Sequence, residues 1–344
     1  MKRRMLSTPR PAHPTHGSRP LNCLLTPHRR LTREAAELPH LLRAERAVLR
    51  PVWAYLGPVS AEAYRLHTRR CPETHARAAV LDRLATELRR HRRAEALEVL
   101  ALGVGEGRLD VHLAARLLGA GDRSSSLALV DLSEPLLTAA YTHADETLPL
   151  VAVWALLADL EELSTYADLL FLPGRQRVIW LLGGTLGELD DELRFVQYGL
   201  AACTAGDLLV LDVSLSAGKS EATRRGRQGD PMRQRLADAQ AWLTGALVPY
   251  VDGGPLEWTL RLDAGGAVPG SYAWSAVARL PGTLRPREIE LWRRKYYQAA
   301  PLARCLRALG WEQVAACRYG DALPAELQVF RRCAESGGRA KEAP

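Results

Sequence analysis

The chain has 344 residues, of which 47% are apolar, with six cysteines and a formal charge of +7. That length and apolar content bury one large core or two modest ones, and no apolar run reaches membrane-spanning length, which excludes a helical membrane protein. The cysteines are scattered without a C-x-x-C pair, so they read as free thiols of a reducing, cytoplasmic compartment.

Much of the positive excess is local. Residues 1–33 contain no acid and several prolines, a composition that cannot pack a core and predicts a disordered basic tail. A targeting peptide, a nucleic-acid arm and a solubilising tail all share it, and no function is assigned to it. Residues 34–94 read as a helical region. In "ETHARAAVLDRLATELRRHRR", Ala78, Leu81, Leu84 and Leu88 recur at three and four residues, with arginines on the other face. Such a stripe packs on the domain behind it, a reading held ahead of RNA or membrane binding. Upstream, His67, Cys71 and His75 stand four apart, a spacing for metal ligands on one helical face, but Pro72 interrupts that helix and no fourth ligand follows. No metal is expected.

After Ala94 short apolar strands alternate with helices. "ALEVLAL" is a strand, "DVHLAARLLGAG" a helix and "SLALVDLS" a second strand; "EPLLTAAYTHADET" is a helix, and "LPLVAVWALLADL" contains a third strand. "RVIWLLGG" is a fourth strand, "DELRFVQYGLAACTAGD" a helix and "LLVLDVSL" a fifth strand. Alternation of this kind predicts an α/β fold: a doubly wound parallel sheet with helices on both faces.

In such a sheet ligands bind beyond the carboxyl ends of the strands, where a glycine turn lets backbone approach them. Gly103, Gly105 and Gly107 follow the first strand, Asp131 ends the second, Asp159 lies near the end of the third, and "GGTLGELDD" follows the fourth. A carboxylate at the end of the second strand accepts hydrogen bonds from both ribose hydroxyls, so the constellation favours a nucleoside. A dinucleotide turn needs a further glycine where Arg108 stands, and a P-loop ending at Gly218, Lys219 and Ser220 needs one where Val213 stands. Both phosphate-binding forms are disfavoured.

With its closing segments, "LARCLRALGW" as a helix and "EQVAACRY" and "ELQVFRRC" as sixth and antiparallel seventh strands, the chain resembles class I S-adenosylmethionine-dependent methyltransferases over about residues 95–333. Within them it is most similar to the histidine-specific group of the ergothioneine pathway: "VDLS", "LLGGTLGELDD" and "LWRRKYY" look like that group's second-strand, loop and Lys-Tyr segments. The resemblance implies a Rossmann-like sheet of seven strands, the last antiparallel, and S-adenosylmethionine as cofactor. It implies that Gly103, Gly105 and Gly107 pass under the methionine portion, that Asp131 with Ser133 of the same signature serves the ribose side, and that Asp159 faces the adenine amine. Gly183, Gly184 and Thr185 would border the methionyl end. Glu188, Tyr250, Lys295 and Tyr296 are the expected substrate residues, and no catalytic residue is named.

The sequence departs from the family at two places. Ala101 stands where the family carries an acid that helps bind the methionyl end, and Glu188 replaces the histidine-specific group's Asn, while Leu291 and Arg293 fail to match its Glu and Ser. An ionised Glu188 accepts hydrogen bonds and donates none, so the expected acceptor presents an N–H or ammonium group there. Free histidine is expected to be a poor acceptor and a decarboxylated, esterified or peptide-linked amine a better one. The expected organisation is a tail (1–33), N-terminal helices (34–94), cofactor-binding core (95–214), inserted substrate or lid subdomain (215–297), the rest of the core sheet (298–335) and a polar tail (336–344). In the insertion, "DPMRQRLADAQAWLTGALVPY" reads as helix and "LEWTLRLDAGGAVPGSYAWSAVARL" as a hairpin whose Trp258, Tyr272 and Trp274 pack rather than bind. The expected activity is methyl transfer to a small amine, imidazole or amino-acid-derived molecule. A noncatalytic binding protein of the same fold and a nucleic-acid methyltransferase are the alternatives.

Overall fold

Twelve strands form two sheets in the computed structural model, which describes residues 23–25, 29–42, 44–119, 122–171, 174–216, 231–248, 256–280, 287–320 and 324–334. In chain order they are β1 (Cys23–Leu25), β2 (Arg46–Val48), β3 (Leu97–Leu102), β4 (Ser126–Asp131), β5 (Ala152–Leu157), β6 (Gln176–Leu181) and β7 (Leu208–Ser214). The remaining five are β8 (Glu257–Ala264), β9 (Tyr272–Leu280), β10 (Arg287–Tyr296), β11 (Trp311–Tyr319) and β12 (Ala325–Arg332).

The main sheet runs β1-β5-β4-β3-β6-β7-β12-β11. Its pairings are parallel except those of β12, which is antiparallel to both β7 and β11. This is the expected doubly wound α/β sheet of seven strands with the last antiparallel, extended by β1. The chain steps outward from β3 to β4 and β5, then returns to place β6 on the other side of β3, so the switch point lies between β3 and β6. Side chains of β3 alternate between two apolar layers: Leu97, Val99 and Ala101 in one, Leu100 and Leu102 in the other. Both layers are buried because helices cover both faces.

The arginine-rich segment packs its apolar stripe into the first layer, as its periodicity predicts. Leu81, Leu84 and Leu88 are fully buried there, each worth about 1.5–3 kcal/mol relative to exposure. The continuous helix expected from Glu73 onward is two, Pro72–Ala78 and Leu81–Arg90.

The tail expected through residue 33 needs correction. Cys23–Leu25 pairs in parallel with Ala155–Leu157 at the sheet edge, and a helix spans Arg29–Leu41. Backbone hydrogen bonds hold a strand this short, and these leave no mark in composition.

The expected hairpin is present as β8 and β9. The "LWRRKYY" segment lies in β10, which pairs with β9 and, on its other edge, with β2 from the N-terminal region. This second sheet packs with the Pro231–Leu247 helix around Trp242, Trp258 and Trp292, and Leu38 joins the same cluster. N-terminal and inserted segments thus build one substructure over the strand ends.

Candidate functional site

All three glycines of the turn after β3 have positive φ, 68°, 54° and 72° in order. Two are also needed for space. A Cβ on Gly103 would lie 2.7 Å from Thr185 Cγ2, and one on Gly107 would lie 2.5 Å from Ala140 Cβ. The first contact draws the turn against the loop after β6, and the second brings the Glu134–Thr147 helix close to the start of the Arg108–Leu118 helix. Gly105 N–H donates to Oδ2 of Asp131 at 2.8 Å, and Ser133 N–H donates to its Oδ1 at 2.8 Å. Burial pushes the Asp131 carboxyl up to about 6 against these amide bonds, which favour the ionised form.

Asp159 caps the short helical turn after β5, accepting from Glu161 N–H at 3.0 Å. Its other oxygen is 2.8 Å from Nη2 of Arg50, whose Nη1 reaches Glu161 and whose Nε reaches Glu34. In the loop after β6, Gly183 N–H donates to Asp212 Oδ2 at 2.8 Å, and Thr185 Oγ1 donates to the Leu182 carbonyl. Asp212 ends no strand but sits within β7, where it also receives Arg77 and the Tyr319 hydroxyl. Arg77 of the Pro72–Ala78 helix therefore braces Gly183 through one buried carboxylate.

These strand ends surround a cavity of about 690 Å³. Gly103, Gly105, Gly107, Asp131 and Asp159 line it from one side, and Gly183, Thr185 and Glu188 line it from the other. Two expected cofactor residues stand back from the wall. Ser133 is buried with its hydroxyl donating to the Tyr55 carbonyl, and Gly184 is packed against the Arg294 guanidinium. Two acids that no motif pointed to, Asp110 and Glu161, also line the cavity. Asp110, in the first turn of the helix after the glycines, accepts from Trp180 Nε1 at 2.9 Å, and burial pushes its carboxyl up to about 7.

A smaller cavity of about 60 Å³ shares Tyr55, Tyr64, Arg77, Gly183 and Glu188 with the first. Glu188 stands on the common wall. Tyr55 donates to its Oε2 at 2.8 Å and Trp292 Nε1 to its Oε1 at 3.0 Å, while burial raises its carboxyl above the usual range. Tyr55, Tyr64 and Trp242 pack as an aromatic wall with centroids 4.9–5.1 Å apart, His67 stacks on Trp242, and burial lowers the imidazole. The former metal candidates His67 and Cys71 thus line an aromatic cavity.

Of the other expected substrate residues, Tyr250 lies outside the described residues. Lys295 and Tyr296 line neither cavity, which corrects that expectation. The Lys295 ammonium donates to the Leu189 and Asp190 carbonyls and pairs with Glu192. Tyr296 stacks on Tyr272 and reaches Met232 Sδ. Strand alternation accounts for Lys295, since β10 turns Trp292 and Arg294 to the cavity and Lys295 to the opposite side, whereas Tyr296 is taken up by Tyr272 and Met232.

No family model matches the chain, and no curated protein matches it. Solved structures do. The CcbJ methyltransferase of Streptomyces caelestis is 17% identical, with 74% of this chain and 95% of that one covered and a TM-score of 0.42. Magnesium protoporphyrin IX methyltransferase of Synechocystis PCC 6803, solved with bound S-adenosylhomocysteine, is 12% identical over 82% and 97%, with a TM-score of 0.46. The 1,6-didemethyltoxoflavin-N1-methyltransferase of Burkholderia thailandensis is 15% identical over 81% and 92%, with a TM-score of 0.42.

Proposed function

We propose that the chain is an S-adenosylmethionine-dependent methyltransferase acting on a small acceptor through nitrogen. One observation carries this reading: the ends of four adjacent parallel strands bring the glycine turn, Asp131, Asp159 and the Gly183–Thr185 loop to the wall of one cavity at the switch point of the sheet.

The residues fit the cofactor. Asp131 already accepts the Gly105 and Ser133 amides, but a carboxylate has about four lone-pair sites, so it keeps capacity for a ribose hydroxyl. A Cβ on Gly183 would meet no heavy atom within 4 Å, so the chain leaves open space along this loop. Asp110 offers the acid that Ala101 lacks: Ala101 is fully buried in the sheet opposite Trp180, and Trp180 in turn bonds Asp110 at the cavity wall. An acid kept at the cavity wall favours a working enzyme over a noncatalytic relative.

When bound, S-adenosylmethionine supplies a methyl group on a sulfonium. The chain's own task is to align an acceptor with that methyl and to exclude water. Glu188, on the wall shared by both cavities, takes a hydrogen bond from the acceptor N–H and holds its proton if the nitrogen enters protonated. The buried Trp242 ring and the partly buried rings of Tyr55 and Tyr64 help to keep the acceptor side dry.

The test is transfer of labelled methyl from S-adenosylmethionine to amines and imidazoles, including histidine and histamine, by the intact chain and by Glu188→Asn. The reading expects transfer to at least one nitrogen acceptor and a changed order of preference in Glu188→Asn. Transfer only to nucleic acid, or an unchanged order, would count against it.

A further inference from the structure

We propose that the smaller cavity is an anion subsite and that Arg294 holds a carboxylate of the acceptor there. The inference deepens the methyltransferase reading and rests on it for calling the bound molecule an acceptor.

Arg294 is 4% exposed on β10 and lines the smaller cavity. Its Nε donates to Ser214 Oγ at 3.0 Å, whereas its Nη2 is buried with no hydrogen-bond partner among the described residues. The other fully enclosed arginines are paired: Arg77 with Asp212, and Arg177 with Glu98 and Asp207. A guanidinium stays charged, and arginines are seldom buried without a partner. Arg294 has no ion pair among the described residues; Glu73, Glu188 and Asp212 act on it only at longer range.

The surroundings show which ligand fits. Arg235, also on this wall, is already 2.7 Å from Glu73, so Arg294 is the cation with donors left over. Gly184 admits it, since a Cβ there would collide with the guanidinium. A carboxylate matches the two-pronged guanidinium, and its single charge suits a cavity that also holds Glu73 and Glu188; a phosphate dianion would meet both acids. Glu188 and Arg294 therefore form two opposite poles, one at the junction with the cofactor cavity and one behind it. The acceptor expected to avoid a carboxylate instead carries one, directed away from the reacting nitrogen toward Arg294.

Benzoate, benzamide and inorganic phosphate, each titrated into the full chain and into Arg294→Met and Arg294→Lys, test this, with S-adenosylhomocysteine titrated into the same proteins. Benzoate is expected to bind saturably and more tightly than benzamide or phosphate. Its affinity should fall about tenfold or more in Arg294→Met and less in Arg294→Lys. Benzoate binding no tighter than benzamide, or equally tight in Arg294→Met, overturns the proposal; phosphate binding tighter than benzoate overturns the choice of a carboxylate. If Arg294→Met does not fold, the benzoate and benzamide comparison on the intact chain and Arg294→Lys decides. S-adenosylhomocysteine bound without benzoate would defeat the subsite alone, and benzoate held by Arg294 without S-adenosylhomocysteine would defeat the methyltransferase reading alone.

Discussion

Arg50 and Asp159, 109 residues apart in sequence, meet with Nη2 and Oδ2 2.8 Å apart at the rim of the larger cavity. The arginine comes from the N-terminal region and the acid from the end of β5, so this pair fastens the outer substructure to the sheet. Both side chains are largely buried, and Glu161 is held by the same guanidinium. Removing the cation alone takes the ion pair from a buried Asp159 carboxylate and one cationic partner from Glu34 and Glu161. Arg50→Met is expected to cost about 3 kcal/mol in urea unfolding, and adding Asp159→Asn should recover part of that loss. A single variant as stable as the parent would show that the pair does not fasten the two parts.

Asp131 is expected to act chiefly on the cofactor, although it also holds the Gly105 and Ser133 amides. Asp131→Ala should weaken S-adenosylhomocysteine binding by about 1.5–3 kcal/mol through lost charge-assisted hydrogen bonds, and the chain should still fold, with a melting temperature lowered by the loss of the acceptor for the Gly105 and Ser133 amides. Because burial pushes this carboxyl up to about 6 and the ionised form is the acceptor, parent affinity should rise with pH through about 6 and then level off. Affinity that is flat across that range would remove the ionised carboxylate from the binding step.

Asp110 carries a pH signature of its own. Its carboxyl is raised from 3.8 to about 7 in the folded chain, so between these values the native state binds a proton that the unfolded state has lost. Stability from this group is therefore greatest at low pH and declines as pH rises through about 7. Asp110→Asn keeps an oxygen for Trp180 Nε1 and removes the titration, so it should stabilise the fold more near pH 8 than near pH 5. An equal effect at both pH values, measured by urea midpoint, would contradict this.

Two glycines should separate packing from binding. Gly107→Ala places a Cβ against Ala140 at a φ of +72°, so it combines a collision with about 1–2 kcal/mol of backbone strain and should lower the melting temperature sharply. Gly183→Ala carries similar strain at a φ of +75° but meets no atom, and its methyl group lies at the cavity wall. That variant should fold and bind S-adenosylhomocysteine more weakly. The reverse pattern would mean that the turn serves the ligand and the loop serves the packing.

The sheet and the cavity wall built by the strand ends were legible because their signals are local: apolar runs that end in glycines, and acids set at the strand ends. The wall contributed by β10 was not. Lys295 and Tyr296 stood out as a dipeptide, yet the register of β10 decides which side chains face inward, and it selects Trp292 and Arg294. The alternation within "LWRRKYY" would have shown this had the segment been read as a strand. Arg50 and Arg77 have surface-like neighbours in sequence and become buried only because distant carboxylates meet them. β1 and β2 are three residues each, too short for any period to show.

Titration calorimetry of the full chain with S-adenosylhomocysteine is the most direct measurement of the central claim. The account predicts saturable binding at one site, weakened in Asp131→Ala and retained in Lys295→Met if that variant is folded, because the Lys295 ammonium is bonded to Leu189, Asp190 and Glu192 outside both cavities. No binding to the folded chain, or binding that Asp131→Ala leaves unchanged, would contradict it.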